Sequence, residues 1–183
     1  MTHKLYLGLG SNQGHRLELL LRAMQLIEER IGPVQERSAL YETPPWGFKS
    51  VHPFLNAVVG VRTDLMPDQI LFQTQRIECE LGRTTKSVDG RYSDRPIDID
   101  LLFFDSLVLE ADYLLPGASA PSHLSLPHPL LHLRAFVLCP LADVAPHFVH
   151  PILGRTVSEL LQSLPESEVA ACRSLPPYIY NKV

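Results

Sequence analysis

The sequence predicts an α+β, ferredoxin-like fold: a βαββαβ antiparallel sheet with helices packed on it, followed by a C-terminal extension. Three observations predict it. Apolar residues alternate between strand-like runs and helical spacing in the order strand, helix, strand, strand, helix, strand. Glycine and proline punctuate the joins, at Gly10 and Gly14, at Gly32-Pro33 and at Gly82. The last strand of the set, Arg95 to Phe104, begins with two aspartates two residues apart.

Each element has its own reason. Lys4 to Leu9 is an apolar run ended by glycines. A helix is expected from His15 to Ile31, because Leu17, Leu20, Leu21, Met24, Ile27 and Ile31 recur at helical spacing. Gly32-Pro33 stops it. Val34 to Tyr41 is the second strand and Phe54 to Thr63 the third, separated by a Pro/Gly-rich loop. The second helix spans Pro67 to Leu81, with proline in its first turn and Ile70, Thr74, Ile77 and Leu81 on one face. After Asp105 come an apolar piece (Leu107 to Leu109), a Pro/Ser/Ala-rich loop from Leu115 to Leu126, and C-terminal helices including Val157 to Leu164. A single domain is expected over residues 1–183, with its core at about 4–165 and a loosely held tail.

Composition narrows the function. With 16 Lys and Arg against 20 Asp and Glu, the formal charge is −4, which argues against general nucleic-acid or anionic-membrane binding. No apolar run reaches the roughly 18 residues of a membrane span, and the first residues lack a secretory pattern. Cys79, Cys139 and Cys172 are widely spaced and form no C-x-x-C pair, as free thiols of a cytoplasmic protein would. Gly8-Leu9-Gly10-Ser11-Asn12-Gln13-Gly14 places its last glycine one residue late for a dinucleotide fingerprint, and no Walker A sequence occurs.

The chemistry concentrates at Asp98 and Asp100. Strand geometry puts both on one face, with Cα atoms roughly 6.5–7 Å apart, and Ile97, Ile99 and Leu101 on the other. The aspartate face is expected to continue through Leu102 and Phe104. Two carboxylates so placed suit hard cations bound between protein and nucleotide phosphates; the alternative is an edge strand with a solvated face. The preceding loop carries Arg83, Lys86, Arg91 and Arg95 against Asp89 and Asp94, the positive counterpart that phosphate transfer needs. His128 and Arg134 add two more groups able to neutralise charge on a leaving group. Trp46 and Phe48 lie in a Pro/Gly loop where a flat heterocycle can stack. Asn56 is a polar residue in an apolar strand, and its amide matches the edge of a pterin or purine.

Taken together, Gly10-Ser11-Asn12, Tyr41-Glu42-Thr43-Pro44-Pro45, Phe54-Leu55-Asn56-Ala57, Gln75-Arg76-Ile77-Glu78, Gly82-Arg83, Arg95 to Asp100, Pro127-His128 and Arg134-Ala135-Phe136 resemble the 6-hydroxymethyl-7,8-dihydropterin pyrophosphokinases of folate biosynthesis. The pieces run in family order from about residue 5 to 141. The resemblance implies transfer of the β,γ-diphosphate of ATP to the pterin, with ATP as co-substrate. It implies two Mg²⁺ on Asp98 and Asp100, with Arg83 and Arg95 assisting catalysis. Gln75, Glu78, Arg83, Lys86, Tyr92, Arg95, Leu101, Ser125, His128 and Arg134 would line the nucleotide side. Gly10, Thr43, Pro44, Trp46, Phe54, Asn56 and Phe136 would hold the pterin. The implied protein is a cytoplasmic monomer acting on small molecules. Relative to the familiar form, the basic loop is about two residues longer, and Thr85 stands in place of a second arginine.

Overall fold

The computed structural model describes residues 1–84 and 93–176. Its centre is a sheet in which β5 (Asp98–Phe104), β1 (His3–Ser11), β4 (Phe54–Thr63) and β3 (Tyr41–Thr43) lie side by side, all antiparallel. This is the ferredoxin-like strand order expected for βαββαβ. The expected second strand is divided. Residues 34–37 form β2 (Val34–Arg37) and pair with the far end of β4, while β3 pairs with its beginning. Between them Ser38 turns inward and closes the gap: its amide donates to the Val58 carbonyl, and its hydroxyl accepts from the Val58 amide.

Helices α1 (Arg16–Arg30) and α2 (Pro67–Glu80) cover one face. Leu20, Met24 and Ile27 of α1 and Ile70 and Ile77 of α2 meet Leu5, Leu7, Val59 and Val61 there. The apolar stripes read from the sequence are therefore the buried ones. Gly32 ends α1 where a Cβ would stand 2.0 Å from the Arg62 carbonyl oxygen, so only glycine fits. The second face is covered by α3 (Ala135–Val144) and α4 (Val157–Gln162), which pack Val137, Leu138, Leu141 and Leu160 on Tyr6, Val58, Leu102 and Phe103. Covering on both sides explains why nine of the ten residues of β4 are buried.

Three expectations need correction. The register of β1 against β5 slips between Tyr6 and Leu7, which pair with Phe103 and Leu101 and leave Leu102 as an extra residue. Such a bulge flips the alternation. Phe103, not Phe104, therefore follows Leu102 onto the aspartate side, and Phe104 joins the core under α1 and α2. The 115–126 segment is not all loop: β6 (Leu109–Tyr113) and β7 (Ser122–Leu126) form a separate hairpin, and Leu124 and Leu126 anchor it in the core. Beyond α5 (Glu166–Ala170), β8 (Arg173–Ser174) adds to the open edge of β3, so the segment up to Pro176 is tied to the sheet. Among the described residues no helix is long and apolar enough to cross a membrane.

Candidate active site

The site starts from two missing side chains. Gly10 lies between Asp98 on one side and Asn56 on the other, and Gly8 lies between Asp100 and Val58. Directly opposed residues project to the same face. The two glycines therefore leave a trench between the aspartates and Asn56. A Cβ on Gly10 would stand 2.7 Å from Asn56 Oδ1. Asn56 is buried and its Nδ2 donates to Thr43 Oγ1 at 2.7 Å, which fixes the amide at the trench wall.

Aromatic residues roof this trench. Trp46 and Phe136 have ring centres 6.2 Å apart, and the Arg134 guanidinium lies 4.7 Å from the Trp46 ring and 5.6 Å from Phe136. Phe54 meets Phe48 edge-on at 6.1 Å and carries the Arg95 guanidinium 5.2 Å from its ring. The resulting narrow cavity, about 40 Å³, takes in Gly10, Thr43, Pro44, Trp46, Phe54 and Asn56. A second, wider cavity of about 240 Å³ is polar and takes in Gln75, Glu78, Arg83 and His128. Asp98, Asp100 and Arg134 line both. The carboxylates thus stand where the two cavities meet.

The electrostatics divide the two acids. Asp98 accepts from Arg83 Nη1 and, at 2.8 Å, pairs with Arg95 Nη2. Burial works against its ionisation, but Arg95 and Arg83 outweigh burial and hold its pKa below the ordinary value. Asp100 has no hydrogen-bond or ion-pair partner among the described residues, and burial followed by the Asp98 charge raises its pKa. Glu78 is pushed up to about 8, first by burial and then by Asp98, although the Ile99 amide and Arg83 each donate to it at 2.7 Å. Burial lowers the His128 pKa, against the pull of Asp100. An unpartnered carboxylate beside an ionised one, both open to a cavity, fits a hard cation such as Mg²⁺, which takes one or two protein carboxylates and completes its shell with water and phosphate oxygens.

Most residues singled out from the sequence come together here. Two do not. Leu101 packs in the core beneath α1 and α2, because it lies on the opposite face from Asp98 and Asp100. Ser125 bonds Glu110 at 2.5 Å on the hairpin, outside both cavities; Ser122 is the hairpin residue that meets Gln75, at 3.2 Å. Lys86 and Tyr92 lie outside the described residues, as do Thr85 and Arg91.

The positioning role of Asn12 was not foreseen. Its Oδ1 accepts from the Arg95 amide at 2.8 Å, and its Nδ2 donates to Asp94 at 2.6 Å and to the His52 carbonyl at 3.3 Å. It thereby ties the end of β1 to both loops. The signal available was a buried-type position holding an amide just after the glycines of β1. Thr74 and Leu71, on the α2 face toward the polar cavity, were also missed.

A family model described as 7,8-dihydro-6-hydroxymethylpterin-pyrophosphokinase matches residues 6–146. A 2-amino-4-hydroxy-6-hydroxymethyldihydropteridine pyrophosphokinase of Porphyromonas gingivalis is 51% identical over 146 residues, covering 80% of this chain and 92% of that one. The enzyme of the same name from Bacillus subtilis is 37% identical over 145 residues, 79% of each chain. Among solved structures, wild-type HPPK-DHPS of Plasmodium falciparum superposes with a TM-score of 0.71 over 88% of this chain, at 18% identity. This chain spans 44% of that longer one, and the likeness is one of fold. With the trench, the shared carboxylates and the extended sequence match in agreement, the chain belongs to the 7,8-dihydro-6-hydroxymethylpterin-pyrophosphokinase family.

Proposed function

We propose that this chain transfers the β,γ-diphosphate of ATP to the hydroxymethyl oxygen of 6-hydroxymethyl-7,8-dihydropterin, producing the pterin diphosphate and AMP for folate biosynthesis. The observation that carries the reading is the junction of two unlike cavities at Asp98 and Asp100. One is narrow, aromatic and walled by an amide, as a pterin requires; the other is polar and presents Arg83 and Arg134 beside the carboxylates, as a metal-bound polyphosphate requires.

The alcohol oxygen attacks the β-phosphorus while the bond from that phosphorus to the α–β bridging oxygen breaks, and AMP leaves with the bridging oxygen. The attacking oxygen loses its proton to solvent. Bound at Asp98 and Asp100, two Mg²⁺ ions would supply charge neutralisation to the phosphates and acidify the pterin alcohol. Arg83 and Arg95 already face this point; burial pulls the Arg83 pKa down, but Asp98 and Glu78 outweigh it and keep Arg83 charged. In the loaded site these guanidiniums turn their charge to the transferred group and to departing AMP. Asn56 and Thr43 orient the pterin edge, and the Trp46 loop excludes water that would otherwise hydrolyse ATP. The chain acts in this reading as a cytoplasmic monomer made of one pyrophosphokinase domain.

Product analysis tests it. Protein, ATP, Mg²⁺ and the pterin alcohol should yield AMP and pterin diphosphate in equal amounts, each dependent on pterin and metal. ADP or phosphate formed without pterin would assign a phosphohydrolase instead. Binding without turnover would assign a ligand-binding module.

A further inference from the structure

We propose that Cys139 and Cys172 form a reversible, peroxide-sensitive dithiol which, when oxidised, fastens the C-terminal strand β8 to helix α3. The two thiols stand 33 residues apart in sequence and nothing in their spacing joins them. The fold does. Cys139 lies in the middle of α3, and Cys172 lies between α5 and β8.

Two sets of bonds bring the segments together. The Tyr41 hydroxyl donates to Asp143 of α3, with oxygens at 3.0 and 3.1 Å, and the Ala39 amide donates to the same carboxylate at 3.0 Å. These bonds draw β3 under α3. On the other side Tyr41 pairs with Ser174, and the Leu175 amide donates to the Leu40 carbonyl at 2.7 Å. Directly opposed residues share a face, and Cys172 precedes Ser174 by two, so Cys172 turns to the side where Tyr41 meets α3. There the two thiols come near enough to perturb each other's ionisation. Cys172 also reaches the Glu168 carbonyl at 3.5 Å, which holds its sulfur near this position.

Their surroundings suit oxidation. Cys139 is 7% exposed and Cys172 is more open, so a small oxidant can reach the pair from the Cys172 side. The neighbouring Cys172 lowers the Cys139 pKa, favouring the thiolate that reacts. One sulfur, as thiolate, attacks an oxygen of hydrogen peroxide; the O–O bond breaks and the second oxygen leaves as water after protonation. The sulfenic acid so formed is attacked by the other sulfur, which forms the S–S bond and releases a second water. Two thiols and one peroxide thus give one disulfide and two waters, with two electrons passing from sulfur to oxygen. The bond would close a loop containing α4 and α5 and reinforce the two residue pairs, the Leu175–Leu40 bond and the Arg173–Glu42 ion pair that hold β8 on β3. The third thiol, Cys79, is exposed on α2, on the opposite face of the sheet, and serves as an internal control.

The experiment uses the full chain, fully reduced and then exposed to hydrogen peroxide. The free-thiol titre should fall from three to one, and dithiothreitol should restore it. A peptide digest should show the Cys139 and Cys172 peptides linked, with Cys79 still alkylatable. The thermal midpoint of the oxidised protein should rise by several degrees, and Cys172→Ser should abolish both the link and the rise. Separate sulfinic acids on the two cysteines, a link through Cys79, or an equal midpoint shift in Cys172→Ser would each overturn the proposal. The digest of the unmodified sequence decides the question even if the variant folds poorly.

Discussion

Replacing Gly10 by alanine should damage the pterin cavity and spare the nucleotide cavity. The added Cβ would stand 2.7 Å from Asn56 Oδ1, whereas ordinary contact begins at 3.4 Å. Asn56 cannot yield cheaply, because it is 5% exposed and its Nδ2 is bonded to Thr43 at 2.7 Å. Overpacking of this kind costs about 1–3 kcal/mol. Losing the Asn56–Thr43 bond adds about 1 kcal/mol. In the proposed function the amide also reads the pterin edge, so a displaced Asn56 would lose ligand as well as neighbour. A penalty of about 2 kcal/mol falling on pterin recognition corresponds to roughly 30-fold weaker binding. Calorimetric titration with the pterin alcohol measures this, alongside ATP affinity, which should stay within about twofold because Gly10 does not line the cavity of Gln75, Glu78 and Arg83. A melting curve confirms that the variant is folded. A folded Gly10→Ala protein that binds pterin as tightly as the parent would refute the trench as the pterin site.

Asp98→Asn keeps the shape of the side chain and removes the charge that meets Arg83 and Arg95; turnover should fall by at least about 100-fold in steady-state assays, and near-normal turnover at ordinary Mg²⁺ would remove Asp98 from the metal site. Asn12→Ala removes the bonds that hold Asp94 and the Arg95 amide, so kcat should drop by about 10-fold or more with little change in ATP KM; a change in KM alone would show that Asn12 does not position Arg95 for the transition state. Glu42 bridges Arg16 at 3.0 Å and Arg173 at 2.5 Å, and chiefly the Arg16 hydrogen bond holds its pKa below the ordinary 4.5. A depressed carboxyl pKa stabilises the fold fully above 4.5 and loses that contribution as pH falls through the folded value. Glu42→Gln should therefore lower stability by about 0.5–1 kcal/mol at neutral pH, and the gap should close in denaturant titrations below pH 4. A gap that persists in acid would mean that packing, not charge, holds β8 and α1 to Glu42.

Periodicity and punctuation by themselves determined the order of elements. The stripe from Leu20 to Ile27 admits one buried face, because apolar residues at helical spacing line one side, whereas the unbroken run Phe54 to Thr63 calls for cover on both faces of its strand. Asp98 and Asp100 were legible for the same reason: two polar residues at strand spacing in an apolar segment share a face, whatever lies opposite. Most of the residues proposed for the pterin and nucleotide sides were singled out through the family resemblance that their motifs carry.

Tertiary structure decided what depends on neighbours distant in sequence. The bulge at Leu102 arises from the register of β1 against β5, and it moved Phe103 rather than Phe104 to the aspartate side. The hairpin of β6 and β7 came from a Pro/Ser/Ala-rich segment because Leu124 and Leu126 found the core, overriding a weak local preference for strand. The meaning of Gly8 and Gly10 lies in what stands beside them: with Asp98 and Asp100 on one side and Asn56 and Val58 on the other, two absent side chains become a trench. Asn12 joins loops 40 and 82 residues away, and the pairing of β8 with β3 brings Cys172 to the side of the sheet where α3 carries Cys139. Local sequence fixes which way a side chain points along its own element; only the packed chain supplies the group it points at.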